Sequence, residues 1–320
     1  MPLQDTLPLQ AALADHYLLE HQVGRGAMAT VYLARELRHD RSVALKVIHA
    51  ELVETVASGR FLREIRLAGR LQHPHVIPML DSGEAQGRLW YTMPYVRGES
   101  LRAMLERERA LPIENAVELA KQIALALDYA HREGVIHRDL KPENILLSDG
   151  QALIVDFGLA KALEASDRLT GNGVAVGTGA YMSPEQATGG EVDGRADLYS
   201  LGCLLYEMLV GEPPFIGATV QAVITQRFTM APPSVRRVRP EVSEALDRVI
   251  RQTLMLDPAQ RFANGAELAR ALARGVPEPA SEPETLEVSR SDLASWVGRW
   301  LVPLVAAAVA GMLGHGMLAR

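Results

Sequence analysis

The stretch His137-Arg138-Asp139-Leu140-Lys141-Pro142-Glu143-Asn144, followed by Asp156-Phe157-Gly158, decides how this sequence is read. It gathers Asp139, Lys141 and Asn144 within six positions and brings a second aspartate twelve residues after Asn144. One such group turns up by chance; the whole set at fixed spacing does not. Residues 135–158 read as short strands and loops, so these polar groups sit on turns, where a scaffold usually presents its chemistry.

Working outward, residues 113–132 carry an apolar face at helical spacing (Ala116, Leu119, Ala120, Ile123, Leu127, Ala130), and Gly134 stops that helix. Residues 100–107 form a shorter helix. Before Gly98 the character is that of short strands: 29–34 and 42–48 are rich in β-branched and aromatic residues, and 76–80 and 88–95 read as two more. One helix, 58–71, interrupts them. Residues 1–15 read as a loose start. Beyond the quoted stretch, 159–182 reads as a long surface loop, and helical patterns return at 193–210, 218–229, 241–255 and 265–273. The expected fold class is α+β, a small sheet with one helix followed by a larger helical region.

The bulk numbers agree with a folded chain. There are 320 residues, 48% hydrophobic and 22% charged, with a net charge of −6. A mildly acidic chain has no global electrostatic reason to bind nucleic acid. The single cysteine, Cys203, excludes an intramolecular disulfide and any multi-cysteine metal site.

Two further motifs lie in the strand region. Gly24-Arg25-Gly26-Ala27-Met28-Ala29-Thr30-Val31 sits between two strands, where glycine would let backbone approach a phosphate closely. Read alone, it is more often just a hairpin turn; no helix follows, which speaks against a dinucleotide site. Lys46 lies amid apolar strand residues in Val43-Ala44-Leu45-Lys46-Val47, a costly place for an ammonium unless it meets an anion. Glu64, central in helix 58–71, is available as that partner.

Together these residues make the sequence resemble a eukaryotic-like (Hanks-type) protein kinase of the bacterial serine/threonine branch, over about residues 17–273. The resemblance implies a bilobal kinase fold, with a small antiparallel sheet lobe at 17–96 and a mostly helical lobe at 97–274, after an N-terminal extension at 1–16. It implies that Gly24 and Gly26 cover the ATP phosphates, that Lys46 holds them, and that Glu64 orients Lys46. Asp139 would take the substrate hydroxyl proton, and Lys141 would meet the γ-phosphate, as in serine/threonine kinases. Asn144 and Asp156 match the two magnesium positions. Val31 and Ala44 would roof the adenine pocket and Leu146 would floor it, with Met93 as gatekeeper and Tyr95 and Val96 in the hinge. The implied cofactors are ATP and Mg2+, with Mn2+ as an alternative. Ser183-Pro184-Glu185 resembles the motif that closes the activation segment; Glu185 would pair with Arg261, and Asp197 would brace the catalytic loop. The sequence departs from the pattern at Ala29, where a third glycine is usual.

The resemblance also implies a switch. Arg138 would receive a phosphorylated activation-loop residue, and Thr170 has the spacing for it, while Thr178 would face the substrate. Relatives often carry a second threonine two positions on; here it is Asn172. Partners are expected to be proteins with Ser or Thr acceptors, and a homodimer would serve autophosphorylation.

Residues 275–295 read as a Pro/Glu-rich linker; 276–289 hold three prolines and four glutamates. Residues 296–319 read as a membrane helix, with Trp296 and Trp300 suited to the interface and Arg299 on the cytoplasmic side. The expected location is the inner membrane, single-pass, with the kinase domain in the cytoplasm. An amphipathic helix packing on the kinase or a second copy is the alternative. Two alternatives to a protein kinase stay open here: a pseudokinase scaffold and a small-molecule phosphotransferase.

Overall fold

The computed structural model describes residues 7–50, 58–157 and 178–275, all within one unit spanning Met1–Val276. Five antiparallel strands form the first sheet: β1 (Tyr17–Arg25), β2 (Ala29–Glu36), β3 (Arg41–Ile48), β4 (Asp81–Ala85) and β5 (Arg88–Pro94), in the order β1-β2-β3-β5-β4. The strand period of two divides β3 between two cores. Val43, Leu45 and Val47 face one side, packed with Tyr17, Trp90, Leu9 and Leu13. Ala44, Lys46 and Ile48 face the other, where Ala44 is in register with Met93 and Lys46 with Tyr91. Helix α2 (Ser58–Ala68) covers part of that second face through Phe61 and Ile65, which pack on Ile48, Leu89 and Tyr91.

Two differences from the sequence reading have clear causes. The loose start contains a helix, α1 (Leu7–Leu13), whose Leu9 and Leu13 are buried on the sheet. Seven residues are too short to signal a helix alone; this one is held by tertiary packing, and by Gln10, which donates to Tyr17 O at 3.2 Å and accepts from Leu19 N at 2.7 Å. The strand expected at 76–80 lies instead at β4. Pro78 removes a ladder donor from the 76–80 run, and Val76 makes only an isolated bridge to Ile154. The hairpin is set by Gln86 and Gly87, both at positive φ (53° and 69°), the geometry of a tight two-residue turn.

The larger region is built on α3 (Leu101–Glu108), α4 (Ile113–Arg132), α5 (Pro184–Ala187), α6 (Gly194–Val210), α7 (Val220–Thr229), α8 (Glu244–Thr253) and α9 (Gly265–Gly275). Every residue of α6 from Ala196 to Leu209 is buried, Cys203 included. A helix buried on all sides belongs at the centre of a core, and α6 packs there with α4 and α8. Burial pushes the Cys203 thiol up to about 12. A second sheet, β6 (Glu99–Ser100), β7 (Ile145–Ser148) and β8 (Gln151–Ile154), closes the site side of this region. The architecture is the α+β, two-part arrangement that the resemblance implies: a small antiparallel sheet with its helix, then a mostly helical lobe.

Candidate active site

The quoted stretch lies between α4 and β7 and is gripped from beneath by Asp197 of α6. The Asp197 carboxylate accepts from His137 N (2.8 Å), Arg138 N (2.8 Å) and His131 Nε2 (2.7 Å). Burial opposes its charge, but the His131 bond, the charges of His131 and His137 and the Arg138 amide outweigh it and hold the carboxyl below its usual range. Arg138 adopts φ 69°, a left-handed conformation an L-residue keeps only when its surroundings impose it. Gln186 of α5 adds a bond to Arg138 O at 2.7 Å, and a capping box with Ser183 fixes Gln186 in turn. His137 is fully buried, its ring edge-on to Phe157 at 4.8 Å and its Nε2 donating to Val155 O at 2.9 Å.

On this base stand the polar groups. Lys141 Nζ donates to Asp139 Oδ2 at 2.7 Å. Asn144 Nδ2 donates to Asp139 O at 2.7 Å and reaches Oδ2 at 3.3 Å, so its amide oxygen is the end left to serve another group. Val155 N donates to Asn144 O at 3.0 Å. That bond joins Asn144 to Val155, the residue before Asp156.

Asp156 also has positive φ, 69°. Its Oδ2 accepts from Lys46 Nζ, and its Oδ1 from the Tyr91 hydroxyl at 2.5 Å. Burial again opposes the charge, and the Lys46 ammonium and Tyr91 bond overcome it, keeping Asp156 below the ordinary carboxylate range. The structure bonds Lys46 to Asp156, and Glu64, which the sequence offers to Lys46, lies half-buried on α2.

Beside this cluster is an apolar lining. Ala44, Met93 and Val155 are buried together, with Val31, Tyr95 and Leu146 packed against them. Five of the six residues expected to surround a base converge there; Val96 follows β5, half-buried. Val155 and Ile77 complete the lining and were missed, because each reads as ordinary strand core. Gly24 lies at the end of β1, in register with Val31, and Gly26 in the β1–β2 turn, where its N donates to Ala29 O at 2.9 Å. Neither has positive φ, and a Cβ on Gly24 would meet nothing within 4 Å. Glycine at 24 is thus not demanded by backbone conformation or packing; it keeps open the space above the sheet end.

A third group ties α3 to the quoted stretch, to Tyr181 and to α6. Arg102 of α3 donates to Glu143 (2.9 Å), Glu207 (2.9 Å) and the Tyr181 hydroxyl (2.6 Å). Arg261 donates to both oxygens of Glu185, at 2.7 and 2.8 Å. Thr178 opens a 3-10 turn, Thr178–Ala180, whose Gly179 O accepts from Arg227 at 2.5 Å. Thr170 and Gly158 lie outside the described residues, as does the segment 296–319. No helix among the described residues is long and apolar enough to cross a membrane.

A family model of the protein kinase domain matches residues 17–272. The chain belongs to the protein kinase family. Among curated proteins, this kinase-family chain is similar to the serine/threonine-protein kinase PknB of Mycobacterium leprae, 40% identical over 302 residues, which are 91% of this chain and 48% of that protein. It is also similar to serine/threonine-protein kinase PknD of Mycobacterium tuberculosis, 41% identical over 297 residues, 92% of this chain and 44% of the relative. To serine/threonine-protein kinase PknJ of the same organism it is 43% identical over 266 residues, 80% and 45% of the two chains. The kinase chain spans about half the length of the curated relatives it matches.

Proposed function

We propose that this chain is an ATP-dependent serine/threonine protein kinase that moves the γ-phosphate of ATP to Ser or Thr hydroxyls of proteins. The observation that carries the reading is the meeting of Asp139, Lys141, Asn144, Lys46 and Asp156 beside an apolar lining. Phosphoryl transfer asks a protein for position and charge neutralisation rather than covalent chemistry, and that set offers both.

In this reading Asp139 accepts the proton of the substrate hydroxyl, whose oxygen bonds to the γ-phosphorus as the bond to ADP breaks. Lys141, already at Asp139, meets the γ-phosphate. Lys46 turns from Asp156 to the α- and β-phosphates, with Glu64 orienting it, and Gly24 and Gly26 admit those phosphates beneath the turn. Val31, Ala44, Met93, Tyr95, Val96 and Leu146 hold the adenine. The donors fit Mg2+, which prefers oxygen and needs only one or two protein ligands beside phosphates and water: the Asp156 carboxylate and the Asn144 amide oxygen would hold it. Bound there, Mg2+ (or Mn2+) would neutralise phosphate charge.

Activation by autophosphorylation at Thr170, read by Arg138, belongs to the same proposal, with Thr178 facing the acceptor and a second copy as the partner for transfer. So does anchoring of a cytoplasmic kinase by residues 296–319, supported by the apolar run in the sequence. The test is transfer from γ-labelled ATP to the chain itself and to a generic protein. Acid hydrolysis should yield phosphoserine or phosphothreonine, with mass spectrometry placing phosphate at Thr170 and Asp139→Asn as the blank. Label in small molecules only, or none at all, would reject the reading.

A further inference from the structure

Tyr91 stands in the middle of β5, in a run that reads as plain strand core, Leu89-Trp90-Tyr91-Thr92-Met93. Its ring is fully buried against Phe61, Ile65 and Leu89. A buried phenol needs a partner for its hydroxyl. The partner here is not a nearby backbone group but Asp156, 65 residues away in sequence, at 2.5 Å. The register of β3 and β5 sets Tyr91 directly across from Lys46, and the Lys46 ammonium lies 5.9 Å from the Tyr91 ring centroid. Two donors from adjacent strands thus take one oxygen each of the same carboxylate, Lys46 on Oδ2 and Tyr91 on Oδ1.

A carboxylate held at neither oxygen turns freely about its last bond; a bond at one oxygen still favours a single orientation. In the reading above, Lys46 leaves Asp156 for the phosphates when nucleotide enters. The Tyr91 bond does not have to break then, because a carboxylate oxygen has a second lone pair for a metal. We infer that Tyr91 is a positioning residue for divalent-cation binding: its hydroxyl fixes the plane of the Asp156 carboxylate so that Mg2+ meets it pre-oriented. This rests on the reading of Asp156 as a metal ligand, and it assigns the hydroxyl a task that apolar strand residues at that place could not perform.

The test is nucleotide affinity of the full chain by calorimetry, using ADP with and without Mg2+, so that turnover plays no part. In wild type Mg2+ tightens ADP binding. Tyr91→Phe should cut that gain about tenfold, the size expected for a hydrogen bond to a charged group, and leave metal-free ADP affinity within about twofold. Tyr91→Met, which also lacks the hydroxyl but packs differently, should lose the same gain even though its melting temperature falls further. Asp156→Asn should abolish the gain, and Tyr91→Phe added to it should change nothing more. If Asp156→Asn loses the gain while both Tyr91 variants keep it, or if the loss follows melting temperature rather than the hydroxyl, the inference on Tyr91 is wrong. If Asp156→Asn keeps the gain, the metal reading of Asp156 is what has failed, and the inference falls with it.

Discussion

Asp139 and Lys141, proposed to meet the acceptor hydroxyl and the γ-phosphate, are built in the opposite way to the groups that hold their loop. Asp139 and Lys141 keep 22% and 18% of their side-chain surface exposed. Asp197 and Arg261, which support the same loop and segment, keep 1% and 0%. Asp197 is met by two backbone amides and a histidine. Arg261 spreads its donors over Glu185 and the carbonyls of Met255, Arg195 and Leu256, with its guanidinium 4.9 Å from the Tyr199 ring centroid. A group that must meet substrate has to keep reach and solvent access. A brace need not, so its polar atoms can be saturated and buried. Loss of the first kind should therefore appear in turnover, and loss of the second in stability.

Arg261→Ala gives the largest stability effect on that view. It strands Glu185 and empties a fully buried site, and breaking such a pair should cost about 3–5 kcal/mol. Arg261→Lys should recover only part of it, since one ammonium cannot reproduce the two-pronged bond. Chemical denaturation measures both. Turnover per folded molecule should fall far less than folded yield.

Asp197 sharpens the comparison through pH. Its folded carboxyl lies below the unfolded value, so its contribution is in place above about pH 3.9 and is lost as pH falls through the folded value. Asp197→Asn should remove that acid-limb dependence, and lower stability at neutral pH by roughly 1–3 kcal/mol as bonds to a charge become bonds to an amide. Unfolding free energy followed from pH 7 downward reads both. A wild-type slope surviving in the variant would assign the acid limb to other carboxylates.

The smallest effect is at Ala29. Its methyl is buried beside Ile48 and Phe61 and it sits in register with Ile48. Ala29→Gly should lose about 1 kcal/mol, from strand entropy and one buried methyl, while turnover persists with altered nucleotide affinity. A large loss of turnover would place Ala29 in the nucleotide site rather than in the wall of the sheet.

How much of this was readable beforehand depended on distance along the chain. The 113–132 helix, the β2 and β3 strands and the Asp139–Asn144 cluster rest on neighbours in sequence, and periodicity or spacing reports them. Val31, Ala44, Met93, Tyr95 and Leu146, which the resemblance assigns to an adenine pocket, meet in one apolar cluster. What could not be read was the choice among distant partners. Lys46 has carboxylates on either side of it in the chain, and only the packed sheet sets it on Asp156, 110 residues away. Tyr91 and Val155 look like any strand core, since nothing local marks a phenol that will find an aspartate. The β4 strand was misplaced because the apolar run 76–80 outweighed the turn at Gln86–Gly87. Short helix α1 carries too few residues to show a period.

The role proposed for Asp139 is to serve the transfer and not to hold the fold or the nucleotide. Asp139→Asn measured three ways on one preparation tests it most directly: melting temperature, ADP–Mg2+ affinity and the rate of label transfer from ATP to protein. The account predicts an unchanged melting temperature, affinity within about threefold, and transfer reduced roughly 10²–10⁴-fold, the range for loss of a positioned general base. Transfer at the wild-type rate with folding and binding intact would contradict it.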